Sequence, residues 1–142
     1  MAQRFGTFIL ALWLSAMLVG CGGRAPSGQP APQPEGIVVT VRVADAEEYR
    51  LRLTEPDDIG IAQKLLAGES APRIPNGLVV RGEPDVNVGY SWHIDPASVE
   101  FADTTIEVCD GRPSDVEKGV ITSDHYCPWS AKVVAIMPVG SR

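Results

Sequence analysis

Alternation of polar and apolar side chains predicts a β-hairpin at the start of the folded part of the chain. Residues 37–43 have the sequence IVVTVRV, and residues 48–53 have the sequence EYRLRL. β-Branched runs and period-two alternation are typical of strands that bury one face. We therefore predict two antiparallel strands joined by a short turn, with Tyr49, Leu51 and Leu53 facing inward.

A helical pattern follows the hairpin. Apolar residues recur there at intervals of three or four positions: Ile59, Ala62, Leu65 and Leu66. Pro56 suits the first turn of a helix, Asp57 and Asp58 favour the positive end of its dipole, and Gly68 favours its end. The pattern predicts one amphipathic helix over residues 56–67, whose apolar face covers a sheet.

Shorter apolar runs predict further strands, with one or two helical turns at residues 113–118. The strands are expected at residues 77–82, 90–94, 99–101, 104–109 and 132–137. Together these elements predict a single α+β domain over residues 37–142, with a mainly antiparallel sheet, one principal helix packed on it and one disulfide.

The first twenty residues have the pattern of a secretory signal. Arg4 precedes an uncharged apolar run of about fifteen residues, whereas a bilayer-spanning helix needs about 20. The run ends at Leu18-Val19-Gly20-Cys21, which resembles the lipobox of bacterial lipoproteins. The resemblance implies cleavage after residue 20, lipidation of Cys21 and a location on the extracytoplasmic face of a membrane. An N-terminal membrane helix with an incidental cysteine is the alternative.

Residues 21–36 form a predicted tether between the lipid and the domain. From Gly22 onward this stretch has four prolines, four glycines and no large apolar residue, so it cannot bury enough surface to fold. Its alternating prolines favour an extended spacer. Glycines rather than an Asp follow Cys21, which favours the outer membrane in a cell that has two membranes.

The charge balance argues against some functions. The chain has 12 Lys and Arg against 18 Asp and Glu, a formal net charge of -6, whereas a protein that binds nucleic-acid phosphates needs clustered cations. Two histidines and three cysteines, without CxxC or HExxH spacing, provide little for a metal site. We expect no nucleic-acid partner, no metal and no cofactor.

Two cysteines are left once Cys21 is assigned to the lipid. In an exported domain Cys109 and Cys127 most simply form a disulfide, which would stabilise so small a fold by about 3 kcal/mol. A Cys–His nucleophile pair that uses His93 or His125 is the functional alternative. The sequence has no Gly-rich nucleophile turn, so we predict no catalytic residues.

Candidate ligand contacts come from aromatic and acidic residues that lie close in sequence. They are Trp92, His93, Asp95, Asp110 and Trp129. Aromatic side chains grouped with acids can stack a sugar or grip a peptide, although a core around the disulfide is the simpler interpretation for Tyr90, Trp92, Tyr126 and Trp129. Oxygen-rich clusters can also bind calcium, although a solvated face is the simpler interpretation for Asp95, Glu100, Asp103, Glu107 and Asp110.

Several strings resemble one family of small exported proteins. They are YRLRLTEP at residues 49–56, AQKLLAGE at 62–69, SWHIDPASVEF at 91–101, IEVCD at 106–110 and CPWS at 127–130. The family is labelled calmodulin-binding after a slime-mould member, and the resemblance, over about Val39 to Val134, is to its N-terminal domain. It implies a shared fold and supplies no catalytic residue. The label itself is not carried over, because calmodulin targets are basic amphipathic helices, whereas the predicted helix contains Asp57, Asp58 and a single Lys64.

These features predict a lipid-anchored extracytoplasmic binding module, attached to the membrane through Cys21, with an unknown protein, glycan or cation as its ligand. A small cation- or glycan-binding domain and a protease-inhibitor-like envelope protein are the alternatives. A hydrolase that uses His93 or His125 is least favoured. It would require a histidine and a carboxylate that converge in one cavity.

Overall fold

Two antiparallel sheets make up most of the fold, of which the computed structural model describes residues 36–140. Two 3-10 turns, at Pro96–Ser98 and Glu107–Cys109, accompany the strands and α-helices. In chain order those elements are β1 (Ile37–Val43), β2 (Glu47–Leu53), α1 (Pro56–Leu66), β3 (Ile74–Arg81), β4 (Trp92–Ile94), β5 (Glu100–Ala102), α2 (Pro113–Glu117), β6 (His125–Tyr126) and β7 (Ala131–Pro138).

The first sheet has the strand order β2-β1-β7. Its β1–β2 hairpin pairs Val41 with Tyr49 and Val39 with Leu51, as the alternation of the sequence predicts. Tyr49 is 2% exposed, and Leu51 and Leu53 are each 1% exposed. Because side chains alternate between the faces of a strand, this register directs all three residues to one buried face.

The second sheet is assembled around β3. That strand pairs with β5 through residues 74–76, with β6 through residues 77–78 and with β4 through residues 79–81. A Cβ added at Gly77 would overlap the side chain of Ile94, so glycine permits the close approach of backbone and side chain here. Residues from three distant segments thereby lie beside one strand.

An aromatic cluster in the core joins the two sheets. Tyr49 of β2 has its ring centroid 5.8 Å from that of Trp92 and 5.3 Å from that of Tyr126. The rings of Trp92 and Tyr126 meet edge to face with centroids 5.4 Å apart. Edge-to-face pairs of this kind add to the stabilisation that burial of the rings supplies. The cluster is therefore a structural centre of the domain.

The predicted α+β class is wrong, because the fold is mostly β. Within residues 36–140 only α1 is a helix of seven or more residues, and only Ala62 of α1 is buried. Instead of one sheet covered by a helix, two sheets contribute to a common core. The sequence predicts strands near β3, β4 and β5 but does not reveal that they form a separate sheet, because their partners lie far apart in the chain and β6, with two residues, is too short for a period to be recognised.

Some local predictions also need correction. Residues 104–109 do not form the predicted strand, because the 3-10 turn at Glu107–Cys109 replaces its second half. Ile106 and Val108, apolar residues that favoured the strand interpretation, are 68% and 67% exposed. The short strand β6 was not predicted, and Tyr90 lies before β4 rather than within it.

The predicted leader at residues 1–20, the lipidation site at Cys21 and the tether before residue 36 lie outside the described residues. Among the residues described, no helix has the length and apolar character to cross a membrane.

Candidate functional site

The disulfide between Cys109 and Cys127, which the sequence predicts, is confirmed and determines the geometry of the candidate site. The two Cα atoms lie 5.1 Å apart, and the backbone N–H of Cys127 donates to the carbonyl oxygen of Cys109 at 2.8 Å. Both cysteines are buried. The disulfide therefore holds the residues that follow each cysteine side by side.

Two of the predicted contacts, Asp110 and Trp129, come together next to this disulfide. Oδ1 of Asp110 accepts hydrogen bonds from the backbone N–H groups of Gly111, at 2.8 Å, and of Trp129, at 2.9 Å. Hydrogen bonds to an ionised acceptor are stronger than those to a neutral one. Asp110 therefore positions the backbone of Trp129.

The indole of Trp129 is held at its other end by Thr105. Its Nε1–H donates to Oγ1 of Thr105 at 2.7 Å, and 43% of the residue is exposed. A large aromatic side chain that is already fixed loses little conformational freedom when a ligand packs against it. Trp129 thus combines an accessible apolar surface with a preorganised position.

Three adjoining surface cavities lie around Trp129 and the loop after β5. Their volumes are about 310, 210 and 260 Å³. Thr104 and Thr105 line both the first and the second cavity, and Arg73 and Trp129 line both the second and the third. We call these three neighbouring cavities together the disulfide groove, because Cys109 also lines the largest of them.

The largest cavity of the disulfide groove contains a carboxylate, an amide and an imidazole. Nδ2 of Asn76 donates to Oε1 of Glu100 at 2.9 Å, and both residues line the cavity together with His125. Asn76 is directly opposite Glu100 in the β3–β5 pairing, and His125 is opposite Leu78 in the β3–β6 pairing. The two registers thus create this cavity.

Sequence reasoning missed most residues of the disulfide groove. Asn76, Arg73, Thr104 and Thr105 were not candidate contacts, and His125 was considered only as a catalytic alternative. The one signal in the sequence was the CPWS string, which places an aromatic residue two positions after a cysteine. Asn76 and His125 enter the groove through strand pairings, and Arg73, Thr104 and Thr105 through the segments that flank β3 and β5, which the sequence does not reveal.

Of the five predicted contacts, Trp129 lines the disulfide groove, whereas Asp110 lies behind it as a support for Trp129, and the other three do not line it either. Trp92 is 1% exposed in the aromatic cluster, and its Nε1–H has no hydrogen-bond partner within residues 36–140. His93 is also buried, with Nδ1 2.9 Å from the carbonyl oxygen of Glu83. Asp95 caps the first 3-10 turn, where its Oδ1 accepts from the N–H of Ala97 at 3.0 Å. All three therefore have evident structural roles.

The acids considered as a cation site are dispersed. In the part of the chain that the structure describes, no three His, Cys, Asp or Glu side chains come together as metal ligands. Glu100 is hydrogen-bonded to Asn76, and Asp103 lines the neighbouring cavity. Asp110 is engaged with backbone N–H groups.

Charge differs between the two ends of the disulfide groove. Near the Glu100 end, the pKa of Asp58 in α1 is raised by burial and then by three other carboxylates: Asp57, Glu55 and Glu100. At the opposite end, a hydrogen bond from Nζ of Lys132, at 2.7 Å, lowers the pKa of Asp45. The groove therefore runs from an acidic end to one where a carboxylate is ion-paired.

A family model described as the BP-74 N-terminal domain matches residues 35–140 of the chain. The match covers both sheets and the disulfide, and it confirms, at the level of the domain, the family that the sequence motifs indicate. No curated protein and no solved structure gives a significant match.

Proposed function

The chain belongs to the BP-74 N-terminal domain family, and we propose that it is a lipid-anchored extracytoplasmic binding module that contacts its ligand through the disulfide groove. The observation that carries the proposal is the position of Trp129. Its backbone is fixed by Asp110 and its indole by Thr105, yet 43% of the residue is exposed beside two cavities. Fixed, accessible aromatic residues are typical of binding surfaces.

The sequence of residues 1–36 supports the membrane part of the proposal. A basic residue, an apolar run and a lipobox-like string precede Cys21, and a Pro- and Gly-rich stretch follows it. Acyl chains on Cys21 would hold the chain at the membrane, since each buried CH₂ contributes about 0.8 kcal/mol. The tether would then present the disulfide groove to molecules outside the cytoplasm.

The chemistry of the described residues favours binding over catalysis. Cys109 and Cys127 are joined to each other, so neither offers a thiolate nucleophile. His125 and Glu100 line the same cavity, as a hydrolase would require, but Glu100 is hydrogen-bonded to Asn76, and no hydrogen bond links it to His125 within residues 36–140. A catalytic arrangement needs a nucleophile held in position by a general base. The described residues of this region do not provide that pair.

Thermal-shift measurements on the full chain test the proposal. The wild type and Trp129→Ala would each be heated with neutral glycans, peptides and divalent cations as separate ligand classes. We expect one class to raise the melting temperature of the wild type and not of Trp129→Ala. Val88→Ala, which truncates an apolar residue that is 74% exposed and does not line the groove, is the control. A wild type that responds to no class, or a Trp129→Ala variant that responds equally, would contradict the proposal.

Protease inhibition is a second candidate function, favoured by one observation. Ile106 and Val108 are about two-thirds exposed on a segment that the disulfide and the Thr105–Trp129 hydrogen bond hold in place. Exposed apolar residues on a fixed segment could occupy the specificity pockets of a protease. Titration of the full chain against serine and cysteine proteases tests this, with Ile106→Asp expected to abolish any inhibition. If the wild-type chain leaves the activity of these proteases unchanged, protease inhibition is excluded as a candidate function.

A further inference from the structure

We propose that the ligand of the disulfide groove is a neutral oligosaccharide that packs one sugar ring against Trp129 and hydrogen-bonds a neighbouring ring at Asn76 and Glu100. This inference rests on the proposed function and names the ligand class of the same site.

The polar end of the groove matches the hydrogen-bonding capacity of sugar hydroxyls. Asn76 uses one N–H to bond Oε1 of Glu100, which leaves its second N–H as a donor and Oε2 of Glu100 as an acceptor. Adjacent hydroxyl groups on a sugar ring each donate and accept, so they can pair with an acceptor and a donor held side by side. His125 and Thr104 line the same cavity and add further polar groups.

The aromatic part of the groove suits the apolar face of a sugar ring. Trp129 lines the cavity that adjoins the polar end, and Thr104 and Thr105 lie at the junction of the two. Because Thr105 accepts the indole N–H, the polar edge of the ring is occupied, and the exposed part of Trp129 is available for packing. One ligand could thus contact the indole and the Asn76–Glu100 pair together.

The charges in these two cavities favour a neutral ligand over an anion. Glu100 lines the larger cavity and Asp103 the smaller one, where Arg73 is the only cationic side chain among the lining residues. The field of Glu100 already contributes to the raised pKa of Asp58. An acidic sugar would meet the same repulsion, since like charges that are close together disfavour ionisation.

A bare cation is not favoured either. Among the described residues, no site combines three of the side chains that commonly bind metals. The larger cavity, of about 310 Å³, is instead at the lower end of the range of small-molecule sites, which begins at about 300 Å³, and the adjoining cavity adds about 210 Å³. A chain of two or more linked rings would extend from one cavity to the next.

Isothermal titration calorimetry on the full chain, kept in a detergent without sugar head groups, tests the inference. The probes are neutral tetrasaccharides of glucose, mannose and N-acetylglucosamine, with tetragalacturonate as the anionic comparison. We expect at least one neutral tetrasaccharide to bind and tetragalacturonate to bind more weakly.

Trp129→Ala should weaken binding of the neutral sugar by about tenfold, and Glu100→Gln by about threefold. Glu69→Gln, at an exposed carboxylate that does not line the groove, should leave affinity unchanged.

Circular dichroism melts of each variant establish that the domain is folded, and Trp129→Phe, which keeps an aromatic ring, should retain part of the affinity. Two results would overturn the inference: no neutral tetrasaccharide binds, or one binds with an affinity that Trp129→Ala and Glu100→Gln do not change. If peptides bind the groove and sugars do not, the saccharide inference fails while the proposed binding function stands. If no ligand class binds the groove, both fail.

Discussion

A single hydrogen bond, from the backbone N–H of Trp129 to Oδ1 of Asp110 at 2.9 Å, links two residues that are nineteen positions apart in the chain. The bond forms next to the Cys109–Cys127 disulfide, whose neighbouring backbone hydrogen bond sets the alignment of the two segments. Asp110 also accepts from Gly111, so one carboxylate oxygen orders both segments. The exposed indole at the centre of the disulfide groove depends on this arrangement.

Removal of the Asp110 carboxylate should destabilise the domain. Asp110→Ala leaves the N–H groups of Gly111 and Trp129 without their acceptor, which should cost about 1–2 kcal/mol. Asp110→Asn keeps an oxygen at the same position and should lose less unfolding free energy. Urea denaturation with intrinsic fluorescence measures both, and equal losses in the two variants would show that the acceptor oxygen is not what matters.

Loss of the disulfide should destabilise the domain further. Cys109 and Cys127 are eighteen positions apart, and closing a loop of this size lowers the conformational entropy of the unfolded chain. The double variant Cys109→Ala, Cys127→Ala should lose about 3 kcal/mol of unfolding free energy. A reductant should lower the unfolding midpoint of the wild type and leave that of the double variant unchanged. A wild type whose midpoint is unchanged by reduction would contradict the expectation.

Alkaline pH should destabilise the fold through buried tyrosines. Burial raises the pKa of Tyr49 and of Tyr126 far above the ordinary value of 10.0, and the hydroxyl of Tyr126 donates to the carbonyl oxygen of Gly111 at 3.0 Å. The neutral form is therefore favoured in the folded state. The contribution of the neutral tyrosines to the free energy of unfolding is fully present below pH 10. It is lost as the pH rises above that value, because the unfolded chain then releases protons that the folded chain retains.

Tyrosinate absorbance and unfolding measured between pH 8 and about 12 test this expectation. Tyr126→Phe should reduce the alkaline loss of stability, while it costs about 1 kcal/mol at neutral pH because the carbonyl of Gly111 loses its donor. Complete tyrosine ionisation near pH 10 in the folded protein would contradict the assignment of both side chains to the core.

The proposed lipid anchor gives a separate prediction. Cys21→Ala should move the chain from the membrane fraction to the soluble fraction, because the residue that would receive the acyl chains is absent. Mass spectrometry of the wild type should find acylation on Cys21 and no residues before it. A Cys21→Ala chain that still sediments with membranes would favour the alternative of an N-terminal membrane helix.

The elements that could be predicted from the sequence are those with a long, regular pattern. The alternation in β2 identified Tyr49, Leu51 and Leu53 as buried, and helical spacing identified α1 to within one residue. The two-residue strand β6 carries no such pattern, although it supplies both Tyr126 of the core and His125 of the disulfide groove. The division of the strands into two sheets was hidden because it depends on pairings of β3 with segments that are distant in the chain.

The candidate site was predictable only where it depends on the disulfide. Pairing Cys109 with Cys127 brings Asp110 to Trp129, and both were candidate contacts. The same reasoning could not show that Trp129 is exposed and Trp92 is buried. An aromatic residue in apolar surroundings has the same sequence pattern whether it faces the core or solvent. Tertiary pairing of β3 decides that Trp92 is 1% exposed, and the loop geometry after the disulfide leaves Trp129 at 43%.

The most direct test of the central claim, that ligands contact the groove beside the disulfide, is the indole N–H resonance of Trp129 in the 15N-labelled full chain. Trp92 is an internal reference, since it is buried in the core. Fractions of digested bacterial envelope would be added in turn, and Trp129→Phe assigns the signal. We predict that a binding fraction shifts the Trp129 indole resonance and leaves that of Trp92 in place. A fraction that binds the chain without moving the Trp129 resonance would contradict the account.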